Sequence, residues 1–141
     1  MTKLILHVED EDDDVFLIQN AFTKAGVTLP VHAARDGQQA LDYLKGLGKY
    51  ANRAEFPLPY LVLLDLKLPF IPGLDVLKFI REAKLPIVVV ILSSSESETD
   101  IAAAYRLGAN AYLVKPSDMA KLADVAKGIK DFWLTLNRPP P

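Results

Sequence analysis

Leu4-Ile5-Leu6-His7-Val8 runs directly into Glu9-Asp10-Glu11-Asp12-Asp13-Asp14, an apolar stretch that stops at six acids in succession. Acid runs usually form solvated tails or helix faces. This one comes after a β-type run, so it marks the end of a strand. From there outward the chain alternates. Short apolar, β-branched segments at 3–8, 31–34, 60–64, 87–92 and 111–114 are separated by segments with apolar residues at three- and four-residue spacing. Val15, Ile18, Ala21, Phe22 and Ala25 make the first helical face, with Gly26 as a stop after Lys24. Ala40, Leu41 and Leu44 make the second, entered through Asp36 and closed near Gly46. Leu74, Leu77, Phe79, Ile80 and Ala83 make the third, ended by Pro86. Ile101, Ala104, Tyr105 and Leu107 make the fourth, stopped by Gly108. The last holds Leu122, Val125, Ala126, Ile129, Phe132 and Trp133. Five such alternations predict an α/β fold, a parallel sheet with helices on both faces. The near-continuous apolar strands agree with burial on both sides.

Composition narrows the class. At 141 residues the chain suits one domain, and it has no Cys, so neither disulfides nor a Cys-based metal scaffold contribute. Half of it is hydrophobic and 24% charged, which excludes intrinsic disorder. No apolar run approaches the roughly 20 residues that span a bilayer, and no leader with a cleavage site is visible, so a cytoplasmic protein with no membrane partner is expected. The formal charge of −2 gives no electrostatic reason to expect nucleic acid. Without the six acids, 12 acids face 16 bases, so the acidity is concentrated at one strand end. The connection 47–59 is long for a compact domain, as functional or mobile loops often are.

Ligands of an open α/β sheet bind beyond the carboxyl ends of its strands. Glu9 and Asp10 stand after the first strand, Asp65 after the third, Ser93-Ser94-Ser95 after the fourth, and Lys115-Pro116 after the fifth. Clustered carboxylates repel one another and call for a cation, and an all-oxygen set suits Mg2+. A lysine opposite supplies a compact positive charge for phosphate oxygens, and a serine a hydrogen bond. An aspartate can be the nucleophile of an acyl-phosphate intermediate. Together these parts suit transfer of a phosphoryl group onto Asp65.

The ordered set Val8-Glu9-Asp10, Leu64-Asp65 with Pro69 and Gly73, Ser93-Ser94, Gly108-Ala109 with Tyr112, and Lys115-Pro116 resembles the receiver domain of two-component response regulators over essentially the whole chain. The resemblance implies a flavodoxin-like, doubly wound five-stranded parallel sheet in the order 2-1-3-4-5. It implies a single domain over 1–141, with its core at about 3–130 and a C-terminal helix and tail at 117–141. Asp65 then matches the phosphoacceptor. Glu9, Asp10 and Asp65 match the Mg2+ ligands, with the Lys67 carbonyl as a further one. Ser93 matches the switch hydroxyl, Tyr112 the aromatic that changes rotamer, and Lys115 the lysine on the phosphoryl oxygens, its bond to Pro116 being cis. The phosphodonor would be a histidine kinase, and the protein a signalling regulator with slow self-dephosphorylation. The insertion at 47–59 and the ending Asp131-Phe132-Trp133-Leu134 resemble single-domain regulators of phytochrome-type kinases.

Two departures stand out. Lys67 occupies a position that is often Asn or another uncharged residue, though only its carbonyl is needed for metal. Ser95 stands at a second position that tunes dephosphorylation in relatives.

Simpler readings apply elsewhere. Glu11, Asp12 and Asp13 read as a helix start, with Asp12 or Asp13 as cap. His7 and His32 read as packing within strands. Phe132, Trp133 and Leu136 exceed what one core-facing stripe needs, so they either cap the sheet or form a homodimer surface. Three rival functions remain at this point: a phosphohydrolase with an aspartyl nucleophile, a binding module that has lost the chemistry, and a nucleotide-binding domain. Lys67 stands where the common phosphohydrolase pattern has a second acid. The intact acidic set with Ser93 and Lys115 argues against the second rival, and the lack of a GxxxxGK[ST] or GxGxxG loop against the third.

Overall fold

The computed structural model describes residues 3–139, so Met1-Thr2 and Pro140-Pro141 at the two ends of the expected domain lie outside it. The order of elements is β1 (Ile5–Val8), α1 (Asp12–Lys24), β2 (Val31–Ala34), α2 (Gly37–Lys45), β3 (Leu61–Leu64), α3 (Gly73–Glu82), β4 (Val88–Ser93), α4 (Glu98–Arg106), β5 (Ala111–Val114) and α5 (Met119–Gly128). A short 3-10 helix, Gly48–Tyr50, comes after α2, and a π-helical segment, Ile129–Leu136, continues α5.

The strands form one parallel sheet in the order β2-β1-β3-β4-β5. Strand alternation divides the core in two. On one face Ile5, Leu61, Leu63, Val88, Val90 and Leu92 meet Ile18, Ala21 and Phe22 of α1 and Leu122, Ala126 and Ile129 at the end of the chain. On the other face Leu6, Val8, Val62, Leu64, Val89 and Ile91 meet α2, α3 and Ala104 of α4. The register aligns the carboxyl ends of β1 and β3, since Val8 pairs with Leu64, and that of β4 with β5, since Ser93 pairs with Val114. Glu9, Asp65 and Lys115 therefore emerge at one rim.

Helix boundaries depend on side-chain chemistry. The Asp36 carboxylate accepts from Gln39 N and caps α2, and Gly46 ends it at φ 70°. The first helix departs from expectation: its cap is Glu11, and neither Asp12 nor Asp13 fills that role. Glu11 makes no side-chain cap bond; its own N–H donates to Glu9 Oε2 at 3.2 Å. The strand-end glutamate thus accepts from the cap residue's own N–H, and Asp12 pairs with Arg35. In α4 only Ala104 is buried, and Tyr105 is exposed, because this helix covers the sheet next to its β5 edge.

The long 47–59 connection is tied down. Arg53 donates to the carbonyls of Tyr43 (2.8 Å) and Leu44 (2.7 Å) in the last turn of α2 and to that of Phe56 (3.1 Å) in the connection itself. The Tyr43 hydroxyl donates to Pro57 O at 2.9 Å. Tyr43, Tyr50 and Phe56 then stack around His32 of β2 with ring centroids 5.0–6.0 Å apart. Burial holds the His32 imidazole below its ordinary pKa, so it behaves as a packing residue. At the other end Trp133 and Leu134 pack against the α1/α5 core, whereas Phe132 and Leu136 are exposed. No helix of the described residues is long and apolar enough to cross a membrane.

Candidate functional site

Backbone bonds fix the rim before any side chain acts. Glu9 N donates to Ala34 O (2.9 Å), Asp65 N to Val8 O (3.1 Å), and Lys115 N to Ser93 O (2.8 Å). The site therefore sits on strand ends held by their neighbours. Glu9 and Ser93 are fully buried and Asp65 nearly so, while Asp10 is exposed. One carboxylate oxygen from each of Glu9, Asp10 and Asp65 lies within 4.8 Å of the others.

Lys115 faces this cluster. Its Nζ donates to Asp65 Oδ2 at 2.9 Å and to Asp14 Oδ2 at 3.1 Å, and Glu9 Oε1 lies 2.5 Å away as an ion-pair partner. Burial raises the Glu9 pKa to about 7, and the Asp65 charge adds to the rise; Lys115 and the Glu11 N–H work against it. Burial also opposes the charge on Lys115, but its contacts with Glu9 and Asp65 outweigh that and raise its pKa. His7, two residues before Glu9 and buried, has its pKa lowered to about 4 by burial and then by the Lys115 charge. Its Nδ1 has no hydrogen-bond partner.

The donor set fits a hard divalent cation. It is all oxygen, it gathers three carboxylates of which Lys115 contacts only Glu9 and Asp65, and it includes a glutamate whose charge burial opposes. Glu9, Asp10 and Asp65 are the residues that would hold such an ion. The Lys67 N–H donates to Asp65 Oδ1 at 3.2 Å and the Lys67 side chain is exposed.

Ser93 and Tyr112 converge on one short loop. Ser93 Oγ accepts from Ser95 N (3.2 Å), Ser95 Oγ donates to Asp100 Oδ2 of α4 (2.6 Å), and the Tyr112 hydroxyl donates to Ser95 O (2.9 Å). The serine at the rim is thus linked to both α4 and β5. One expectation fails here: the described residues contain no cis peptide, so Lys115–Pro116 is trans. That is the lower-energy isomer of an X–Pro bond, and Lys115 reaches its three carboxylates from it.

Asp14 is a site residue that the sequence pattern did not single out. Its place within the acid run hid it, yet its spacing gave a signal. It precedes buried Ile18 by four residues and buried Ala21 by seven, so it shares the inward face of α1.

Residues 5–127 match the family model described as the response regulator receiver domain. The chain is 40% identical to the probable methanogenesis regulatory protein FilR2 of Methanothrix harundinacea, over 97% of this chain and 87% of that protein. It is 37% identical to response regulator Rcp1 of Synechocystis, over 94% and 89%, and Rcp1 has been solved in a Mn2+-bound form (TM-score 0.88, 36% identity, 99% of each chain). The phosphorylated cyanobacterial phytochrome response regulator RcpA superposes with a TM-score of 0.90 at 39% identity over 100% of both chains. Matched through its core and along most of these relatives' length, the chain belongs to the response regulator receiver family.

Proposed function

We propose that the protein, as one receiver domain over 1–141, is a stand-alone two-component regulator that takes a phosphoryl group onto Asp65 from a histidine kinase. The placement of Lys115 Nζ 2.9 Å from Asp65 Oδ2, within a cluster of three carboxylates, carries this reading. Asp65 is the nucleophile: its carboxylate oxygen attacks phosphorus, and the imidazole of the donor leaves with the bonding pair. Glu9, Asp10 and Asp65, with the Lys67 carbonyl, hold Mg2+, which when bound neutralises charge on the transferring group. Lys115 turns an N–H to a phosphoryl oxygen, and Ser93 gives up the Ser95 N–H to donate its hydroxyl to another. That exchange loosens the Ser95 loop on which Tyr112 and Asp100 are anchored, and Tyr112 changes rotamer. Slow hydrolysis of the acyl phosphate resets the site.

Similarity to the phytochrome response regulator RcpA supports a phytochrome-type kinase as donor, and a cytoplasmic setting completes the proposal. The exposed Phe132 and Leu136, beside the packed Trp133, support a homodimer through the C-terminal segment. The test is intact mass after incubation with Mg2+ and acetyl phosphate. One hydroxylamine-labile phosphoryl group is expected, absent from Asp65→Asn. Undiminished labelling of that variant would overturn the assignment.

A further inference from the structure

Lys115 has a partner that neither the metal cluster nor the phosphoacceptor explains. Asp14 lies on α1, outside the trio of carboxylates that approach one another, yet its Oδ2 accepts from Lys115 Nζ at 3.1 Å. The three partners of the ammonium differ in one respect. The Glu9 and Asp65 side chains are 1% and 8% exposed, and that of Asp14 is 40% exposed. The buried pair is fixed to strand ends; Asp14 is the partner free to turn to water. Asp14 also makes the longest of the three contacts. When a phosphoryl oxygen needs a proton of Lys115, Asp14 is the acceptor that yields most readily.

We infer that Asp14 is a positioning residue for phosphoryl transfer: it parks the Lys115 ammonium on the α1 side of the cleft and competes with the phosphoryl group for it. This rests on the reading of Asp65 as phosphoacceptor. Asp14 touches neither Asp65 nor the incoming group; it acts through the lysine. A carboxylate here restrains transfer, because Lys115 must leave one anion to meet another.

The test is the rate of labelling by acetyl phosphate at saturating Mg2+, in which the P–O bond to acetate breaks, the Asp65 oxygen bonds to phosphorus, and acetate leaves with the pair. Asp14→Asn keeps the shape and removes the charge, and is expected to label several-fold faster than wild type. Asp13→Asn removes the same charge from an exposed neighbour and is expected to change the rate by less than about twofold. The gain in Asp14→Asn is expected to persist at about 1 M salt, where the screening length is about 3 Å, because the competition is a direct contact. Asp14→Glu is expected to return the rate toward wild type. Equal or slower labelling of Asp14→Asn, an equal gain in Asp13→Asn, a gain abolished by salt, or no rescue by Glu would each overturn the inference. Absence of label on the wild type would instead remove the phosphoacceptor reading on which it rests.

Discussion

Gly73 lies so close to the Asp65 carbonyl oxygen that a Cβ could not fit between them, and its N–H donates to Leu66 O at 2.9 Å. The start of α3 is thus wedged under the backbone of the phosphoacceptor. Any side chain at 73 pushes on Asp65 itself. Gly73→Ala is expected to cost about 1–3 kcal/mol and to slow acetyl phosphate labelling. Gly128, in α5 with nothing near its missing Cβ, is the control: Gly128→Ala should stabilise by about 0.5–1 kcal/mol. Thermal unfolding of both variants checks the pair. A Gly73→Ala protein as stable as wild type would contradict the wedge.

Phe70 holds φ at 68° while 86% exposed, and the Ile71 N–H donates to Pro69 O at 2.8 Å across it. The loop beyond Asp65 therefore carries strain without burial to offset it. A non-glycine residue in this region costs on the order of 1–3 kcal/mol. Phe70→Gly is expected to raise stability by about 1 kcal/mol after the larger unfolded-state entropy of glycine is counted, and Phe70→Ala to change little. Denaturant midpoints distinguish the two; a glycine variant weaker than wild type would refute the account.

The buried His7 gives a pH dependence of known sign. Its folded pKa of about 4 lies below the ordinary 6.5, so between those values the unfolded chain binds more protons. Its neutral packing contributes stability above pH 6.5 that is lost as pH falls toward 4. The full loss corresponds to about 3 kcal/mol. Glu9 acts oppositely: its folded pKa is raised to about 7, so its protonation adds stability as pH falls through the same range. Comparing wild type with His7→Leu leaves Glu9 in both chains. The variant is expected to gain on wild type steadily from pH 7 to pH 4. Parallel curves would show that His7 is not held neutral.

Metal binding should depend on ligand position and not on acidity alone. Asp10→Ala removes a member of the carboxylate trio, and Asp13→Ala removes an exposed charge outside it. Calorimetric titration with Mg2+ is expected to show binding weakened at least tenfold in the first variant and little changed in the second. Equal losses would mean that the acid run acts as a diffuse field.

The C-terminal surface yields an assembly prediction. Because Trp133 packs on the core, substitutions there confound folding with association. Phe132→Ala with Leu136→Ala removes the exposed apolar pair and spares the core. Sedimentation is expected to find a wild-type dimer, with the double variant shifted toward monomer. A wild type that stays monomeric at tens of micromolar would count against the surface.

The five alternations and the rim of the sheet were legible because apolar periodicity and strand ends are local properties of sequence. Glu9, Asp10, Asp65, Ser93 and Lys115 stand out because each lies at the carboxyl end of an apolar run, where a parallel sheet presents its ligand-binding groups. Asp14 escaped because six adjacent acids look alike until a helix face is assigned to each. The Glu11 cap was hidden because Glu11 makes no side-chain cap bond, so the residue preference for capping does not mark it. The fourth helix read as more buried than it is, since periodicity reports a face and not how much sheet lies beneath it. No local pattern reveals that Arg53 reaches back to the end of α2, since its partners at 43 and 44 lie ten and nine residues away.

That Arg53 tie has a consequence for how the molecule meets proteases. Residues 47–59 offer Lys49 and Arg53 in the longest connection of the chain, where nicking would be expected first. A protease must draw several residues of extended backbone into its cleft. Here that means withdrawing the guanidinium from three carbonyls and Tyr50 and Phe56 from their aromatic stack. Cleavage at these basic residues then requires local opening of a packed unit, and the insertion survives intact for as long as the domain beneath it stays folded.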